Sequence, residues 1–500
     1  MIYRNPIKRA EMIDCSLCLD APCSAVCPVM DPAGCLRSVW FDNPDIAALR
    51  MPDGNPCASC DAPCEKACIK SGKVQIKTLM TRLADEVRTK AEIGIPEDES
   101  RLRCELCGIP LENPFLLSSS AVSATYDMCA RAFEAGWAGV CYKTVCSLDI
   151  HEASPRYSAI TGDNGSIMGF KNVEQLSDHS VAENMEVFRR LKSKYPDKFI
   201  LASIMGKDEA EWEELARLCG ENGADAVELN FSCPNMQEDG LGSDIGQIPE
   251  LVEKFTRAVK RGTDIPVIAK LTPNVANMSP AAEAAMRGGA DGIAAINTIK
   301  SIIGVSPYTF VSAPAVKGRS AVGGYSGNAV KPIALRFISE LAHNPAVRDS
   351  HITGMGGVET WRDALEFILM GAGSIQVTTA VMQYGYRIID DLKAGLNYYL
   401  AQMNISSVKD IIGAGCDSVS DTTDVLERDT IQFPRFDTDK CNGCGRCVIS
   451  CSDGGHQAIT FEGRVPRLNG AKCVGCHLCV LVCPSDAISP RGKRIRRDRS

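Results

Sequence analysis

No apolar run in this 500-residue chain approaches the roughly 18 residues that a membrane span needs. No apolar stretch follows the opening MIYRNPIKRAEMID either, so a secretory signal is not expected and the cytoplasm is the expected compartment. Positive charge is not in excess. With 54 Lys and Arg against 62 Asp and Glu the net charge is −8, which argues against a nucleic-acid binder and its basic stripe. Disorder is excluded by a 45% apolar and 23% charged composition, ordinary for a globular protein. No G-x-G-x-x-G follows a strand-like run and opens a helix. The nearest string, GLGSDIG at 240–246, has the wrong spacing and lies in a loop, so no dinucleotide site is expected on this chain.

What is present in quantity is cysteine, 25 residues in all. Nine lie between Cys15 and Cys68, eight between Cys441 and Cys483, and eight are scattered between. Disulfides suit small secreted domains, so dense clusters at both ends of a large chain point to metal or iron–sulfur ligation instead. The C-terminal group runs Cys441, Cys444, Cys447, Cys451, then Cys473, Cys476, Cys479, Cys483 followed by proline. In this doubled spacing three cysteines hold one cubane and the fourth crosses to the other. The expected sets are Cys441, Cys444, Cys447 with Cys483, and Cys473, Cys476, Cys479 with Cys451. The alternative is a pair of zinc sites, for which the repeated spacing is a poor fit. The N-terminal group is less regular: Cys15, Cys18, Cys23, Cys27 and Cys57, Cys60, Cys64, Cys68, with Cys35 spare. Eight thiolates again serve two [4Fe–4S] clusters, and zinc or inert burial are the alternatives.

Length alone accommodates about three domains. Between residues 100 and 400 lie eight short apolar runs, at 114–120, 138–144, 198–206, 226–232, 267–273, 292–298, 351–357 and 374–380. Most are separated by segments of helical period, such as DEAEWEELARLCGENG. Apolar strands alternating with helices make a parallel sheet covered on both faces, and eight units make a (β/α)8 barrel. Glycine-containing helix ends precede every second run: EAGWAG, ENGADA, RGGADG and MGAGSI. Barrel chemistry sits at the C-terminal strand ends. These carry Ser119, Lys143, Met205, Asn230 with Cys233, Lys270, Asn297 with Thr298, Gly356 with Gly357, and Thr378 with Thr379. Glycines after strand seven and hydroxyls after strand eight fit a phosphate site, better suited to FMN than to NAD or FAD. A lysine is costly to bury unpaired, so an anionic cofactor is the expected partner of Lys143 and Lys270.

The run ELNFSCPN at 228–235, with AKLTPN at 269–274, AAINT at 294–298 and GGYSG at 323–327, resembles the dihydroorotate and dihydropyrimidine dehydrogenase families. The eight C-terminal cysteines resemble a bacterial two-cluster ferredoxin. Barrel followed by ferredoxin is similar to the catalytic half of the dihydropyrimidine dehydrogenases. The resemblance implies an N-terminal helical iron–sulfur domain at 1–95, an FMN barrel at 100–400, a linker at 401–433, a ferredoxin-like domain at 434–490 and a basic tail at 491–500. It implies FMN contacts at Ser119, Lys143, Lys270, Gly327, Gly356, Gly357, Thr378 and Thr379. Asn172, Asn230, Asn297 and Thr298 are implied to hold the pyrimidine, with Cys233 as acid/base at C5. The N-terminal ligand sets it implies are Cys15, Cys18, Cys23, Cys68 and Cys27, Cys57, Cys60, Cys64, with Cys57 replacing a glutamine ligand whose aligned position is Met80.

FAD and nicotinamide domains are missing between the N-terminal module and the barrel. The resemblance therefore implies a separate FAD/NAD(P)H flavoprotein or ferredoxin-type electron partner, an oligomer, and no nucleic-acid or membrane partner. The expected reaction is reduction of uracil and thymine to their 5,6-dihydro forms, or the reverse. Dihydroorotate oxidation is the rival. That family holds the substrate carboxylate partly through an asparagine in an N-S-M-G-L stretch, and here the corresponding residue is Ser166, in SIMGF at 166–170. A third reading is a non-catalytic electron-transfer subunit, which Lys143, Cys233, Lys270 and Asn297 argue against. Cys104 and Cys107, on a hairpin in the family, are too few for a metal site and are read as structural. The tail RGKRIRRDRS reads as a solvated, disordered end that could also dock an acidic electron partner.

Overall fold

In the computed structural model the eight apolar runs form parallel strands: β1 (Phe115–Leu117), β2 (Gly139–Val145), β3 (Phe199–Ile204), β4 (Ala226–Asn230), β5 (Val267–Lys270), β6 (Gly292–Ala295), β7 (His351–Met355) and β8 (Ser374–Val377). They pair in chain order and close into a barrel, β8 meeting β1 with Ile375 opposite Phe115. Every residue of β2, β3 and β4 is buried. That is why these runs are continuously apolar rather than alternating.

The structure describes residues 9–12, 14–70, 72–162, 167–236, 241–420 and 422–496. Helices cover the barrel in turn: α1 (Tyr126–Ala135), α2 (Val181–Lys194), α3 (Glu209–Glu221), α4 (Pro249–Gly262), α5 (Ser279–Arg287), α6 (Lys331–His343), α7 (Trp361–Leu369) and, after a short helix Thr379–Tyr384, α8 (Ile388–Gln402). The four repeated glycines end their helices in the left-handed region, with φ of 107° at Gly136, 95° at Gly223, 97° at Gly289 and 110° at Gly371. A side chain there is strained, so glycine is the natural stop.

Two excursions leave the barrel top, after β2 and after β6. They meet in a four-stranded antiparallel sheet of Tyr157–Thr161, Ile167–Asn172, Gly323–Ser326 and Ile299–Ser301. This sheet carries Tyr157 and Asn172 to the barrel mouth. At the opposite end the hairpin Cys104–Leu106/Ile109–Leu111 turns through Cys107 and Gly108, both at positive φ.

The N-terminal segment is built of short helices, among them Pro32–Trp40, Pro44–Leu49 and Ile76–Arg82. Its polar contacts run to α7 and α8 of the barrel. Arg37 Nε lies 2.9 Å from the buried Asp391, Asn43 donates to Asp391 O at 2.9 Å, and Trp361 Nε1 donates to Asp42 O at 2.9 Å. Gly395 allows the approach, since a Cβ there would fall 2.2 Å from Asn43 Oδ1. Removing Arg37 would leave the Asp391 carboxylate buried without its partner, a loss of about 3–5 kcal/mol that reflects the stranded charge rather than the net worth of the pair. The module and the barrel lie in one compact unit, Met1–Val419, and Ser420–Ser500 form a second.

Within the second unit, helices Arg446–Gly454 and Leu478–Leu481 each follow a cysteine loop. Gly443 and Gly475, and likewise Gly445 and His477, occupy equivalent places at positive φ, so the two cysteine runs share one backbone path. Arg494–Arg496 pair antiparallel with Thr430–Gln432. The basic tail expected to be a solvated, disordered end is thus in part a strand. Its alternating Arg-Ile-Arg places Ile495 opposite Ile431, a contact that charge counting overlooks.

Candidate active site and iron–sulfur centres

A cavity opens at the C-terminal ends of the barrel strands. It is lined by Cys233, Asn172, Asn230, Asn297, Thr298, Ser119, Lys143, Lys270, Gly327, Gly356, Gly357, Thr378 and Thr379, each a residue expected there from sequence. Met205, also at a strand end, is buried in the core and does not line it. Ser166, which bears on orotate recognition, lies outside the described residues.

The amides are fixed by a chain of hydrogen bonds. Asn230 at the end of β4 donates to Thr144 Oγ1 at 2.8 Å and accepts from Ser232 Oγ at 3.0 Å. Ser232 in turn accepts from Asn297 Nδ2 at 2.8 Å. Asn297 Oδ1 accepts the Thr298 backbone N–H at 2.7 Å. On the opposite wall Asn235 donates to Asn172 Oδ1 at 3.1 Å and to Glu174 O at 2.8 Å. Cys233 follows β4 on the same loop and is buried at 7% exposure. Desolvation pushes its thiol up to about 11, against a smaller pull from the Asn235 backbone N–H. A protonated thiol therefore faces the cavity at neutral pH. Ser243, the weaker acid/base alternative, lies outside the lining and donates its backbone N–H to Cys233 O at 2.9 Å.

Both lysines have protein carboxylates as partners, so neither is the unpaired buried cation from which an anionic cofactor was expected. Lys143 Nζ lies 2.9 Å from Glu174 and 3.3 Å from Glu152, and Tyr157 donates to Glu174 at 2.9 Å. Lys270 Nζ lies 3.2 Å from Glu228. Glu174 and Glu228 sit 31 and 42 residues from their lysines in sequence and Glu152 only 9, and only Glu228 carried a signal. It is a charged residue inside an apolar run, two places before Asn230 and hence on the same inward face.

The cavity fits FMN on two grounds. Gly327, Gly356 and Gly357 stand at φ of 89°, 116° and 91°, and a Cβ on Gly357 would fall 2.9 Å from Lys331 N. Bare backbone is thus presented beside the hydroxyls of Thr378, Thr379 and Ser326, a setting for a phosphate. Further in, Gln376 gives its NH2 to Glu228 at 3.1 Å, leaving a buried carbonyl oxygen with no partner among the described residues. A ring bearing an N–H suits that oxygen.

Cys15, Cys18, Cys23 and Cys68 together line a second cavity. Cys57 has Cys60 and Cys27 as electrostatic neighbours, and Cys64 has Cys27 and Cys57. In the second unit Cys441, Cys444, Cys447 and Cys483 line one space, and Cys479 neighbours Cys476, Cys447, Cys451 and Cys473. Backbone N–H groups point at the two crossing sulfurs, from Ala458 to Cys451 at 3.2 Å and from Ala487 to Cys483 at 3.3 Å. Thiols arranged around an open space suit a multi-iron cluster better than zinc, which draws its ligands to about 2.3 Å. Cys35 is buried, with Cys27 and Cys57 among its electrostatic neighbours, and Met80 is a core residue.

A profile of the family described as Dihydroorotate dehydrogenase matches residues 101–400, and one described as 4Fe-4S dicluster domain matches residues 435–489. The NAD-dependent dihydropyrimidine dehydrogenase subunit PreA of Escherichia coli (strain K12) is 52% identical over 358 residues, covering 72% of this chain and 87% of that protein. The chloroplastic dihydropyrimidine dehydrogenase (NADP(+)) of Arabidopsis thaliana is 37% identical over 66% of this chain and 81% of its own. The catalytic subunit of dihydroorotate dehydrogenase B (NAD(+)) from Pyrococcus abyssi is 39% identical over 62% of this chain and 98% of its own. The chain belongs to the dihydroorotate dehydrogenase family, with a 4Fe-4S dicluster domain following its barrel.

Proposed function

We propose that the chain is the catalytic subunit of an NAD(P)-linked dihydropyrimidine dehydrogenase, an oxidoreductase acting on the CH–CH bond of uracil and thymine. When bound, FMN supplies or accepts the hydride at C6, and [4Fe–4S] clusters carry electrons between it and a separate partner. Asn172, Asn230, Asn297 and Thr298 hold the ring. Each amide offers both a donor and an acceptor, which matches the alternating C=O and N–H edges of a pyrimidine. Cys233 delivers the proton to C5 during reduction and removes it in the reverse direction. Ser119, Lys143, Lys270, Gly327, Gly356, Gly357, Thr378 and Thr379 hold the flavin. Four clusters on the two N-terminal and two C-terminal cysteine sets complete the relay, and a flavoprotein carrying FAD and a nicotinamide site is the partner.

The observation that carries a neutral pyrimidine over dihydroorotate is the pairing of the lysines. Each of the two that line the cavity already faces a carboxylate, Lys143 with Glu174 and Glu152, Lys270 with Glu228. Neither is left to receive a carboxylate on the substrate, and Glu174 on the wall would repel one. The test is oxidation of reduced methyl viologen by the FMN- and iron-loaded chain. Uracil and thymine are expected to support turnover and orotate is not. Turnover with orotate alone would return the chain to the dihydroorotate reading.

A further inference from the structure

Under the cavity floor lies a carboxylate that the reaction above does not use. Glu228 is fully buried, one layer below Asn230 on β4, and does not itself line the cavity. Each of its oxygens is engaged. Oε1 lies 3.2 Å from Lys270 Nζ and Oε2 accepts from Gln376 Nε2 at 3.1 Å. Lys270 and Gln376 both reach the cavity, from β5 and β8. The orientation of the glutamine follows from this contact. Only its NH2 can serve a carboxylate, so its carbonyl oxygen is turned away and stays unpartnered. Lys270 is held from a second side by Ser118 Oγ at 3.4 Å.

We propose that Glu228 is a positioning residue that sets the redox poise of the flavin, acting through Lys270 and Gln376. The inference rests on the FMN reading of the cavity. A flavin that gains hydride at N5 gains negative charge over its pyrimidine end, and a nearby ammonium stabilises that charge. A carboxylate 3.2 Å from the same ammonium offsets its field, and at full burial salt does not screen the offset. The Glu228–Lys270 pair is neutral overall, so the ammonium is held in place without drawing the flavin to high potential. The reduced flavin remains a strong hydride donor, as reduction of a pyrimidine double bond requires.

Sulfite titration of the FMN-loaded full chain tests this. Sulfite forms a bond from its sulfur to flavin N5, and the displaced electron pair passes into the ring. The ring thus acquires the charge it acquires from hydride. Glu228→Gln is expected to bind sulfite at least tenfold more tightly, equivalent to about 30 mV upward for a two-electron couple. Lys270→Met is expected to weaken sulfite binding at least tenfold. In that background Glu228→Gln is expected to change it by less than about threefold, because Glu228 then has no ammonium to act through. A merely structural glutamate would loosen FMN without tightening sulfite. Unchanged or weaker sulfite binding in FMN-loaded Glu228→Gln overturns the proposal. If that variant holds no FMN, Glu228→Asp replaces it. Its shorter arm draws the charge away from Lys270, so at least threefold tighter sulfite is expected and an unchanged affinity overturns the proposal. A native chain that binds no FMN would instead remove the reading on which the inference rests.

Discussion

Cys233→Ala removes one sulfur from the cavity wall and adds no volume. The native thiol is 7% exposed, and burial pushes it up to about 11, ahead of the opposing Asn235 N–H. At pH 8 such a group is about 0.1% thiolate. Reduction of uracil draws on the abundant thiol, so its rate is expected to stay level to about pH 10. Oxidation of dihydrouracil draws on the scarce thiolate, so its rate is expected to rise about tenfold per pH unit over the same range. A positioned acid/base is worth about 10²–10⁴-fold, or about 2.7–5.4 kcal/mol of barrier. Anaerobic stopped-flow bleaching of the flavin by dihydrouracil measures this half-reaction alone. In Cys233→Ala it is expected to slow by that factor and to lose its pH slope, with FMN and cluster spectra unchanged. A loss under about threefold, or a pH slope that survives the substitution, would refute the role. The buried Ser243 would then be the next residue to vary.

Three further outcomes are expected. Anaerobically purified chain should contain about 16 irons and one FMN, with no FAD, by the rule of four thiolates per cubane. A count near 8 by metal analysis would leave the N-terminal cysteines without clusters. The chain alone should not oxidise NADH or NADPH at a useful rate, while a flavoprotein carrying FAD and a nicotinamide site should restore the reaction. Rapid oxidation by the lone chain, followed spectrophotometrically, would contradict this. Finally, burial lowers His351 to about 4 in the folded barrel, where its ring meets Ser374 at 2.9 Å. The unfolded chain therefore takes up this proton first, near pH 6.5. Stability is full above pH 6.5 and falls as pH drops toward 4, by up to about 3 kcal/mol. Urea melts of the native chain and His351→Gln should diverge over that window, and parallel curves would exclude the residue.

The barrel was legible because its signals are local. Each strand is a run of apolar residues and four helices end in glycine, at Gly136, Gly223, Gly289 and Gly371. Strand ends such as Asn230, Lys270 and Thr378 then follow from where barrel chemistry sits. What could not be read is partnership between distant segments. Glu174 and Glu152 neutralise Lys143 from an excursion after β2, and Gln376 on β8 meets Glu228 on β4. Ser232 joins Asn230 to Asn297, yet in sequence it is one serine among many. The anchoring of the N-terminal helices on α7 and α8 through Arg37 and Asp391 had no sequence signal at all. The pairing of Arg494–Arg496 with Thr430–Gln432 was hidden because a basic tail reads as solvated whatever its strand period.

The central claim is that a neutral dihydropyrimidine, not dihydroorotate, exchanges hydride in the barrel mouth. Anaerobic mixing of the FMN- and iron-loaded chain with each compound tests it in one turnover, without an electron partner. Dihydrouracil is expected to bleach the flavin and then the clusters, and dihydroorotate to leave both unchanged. Bleaching by dihydroorotate with none by dihydrouracil would contradict the account.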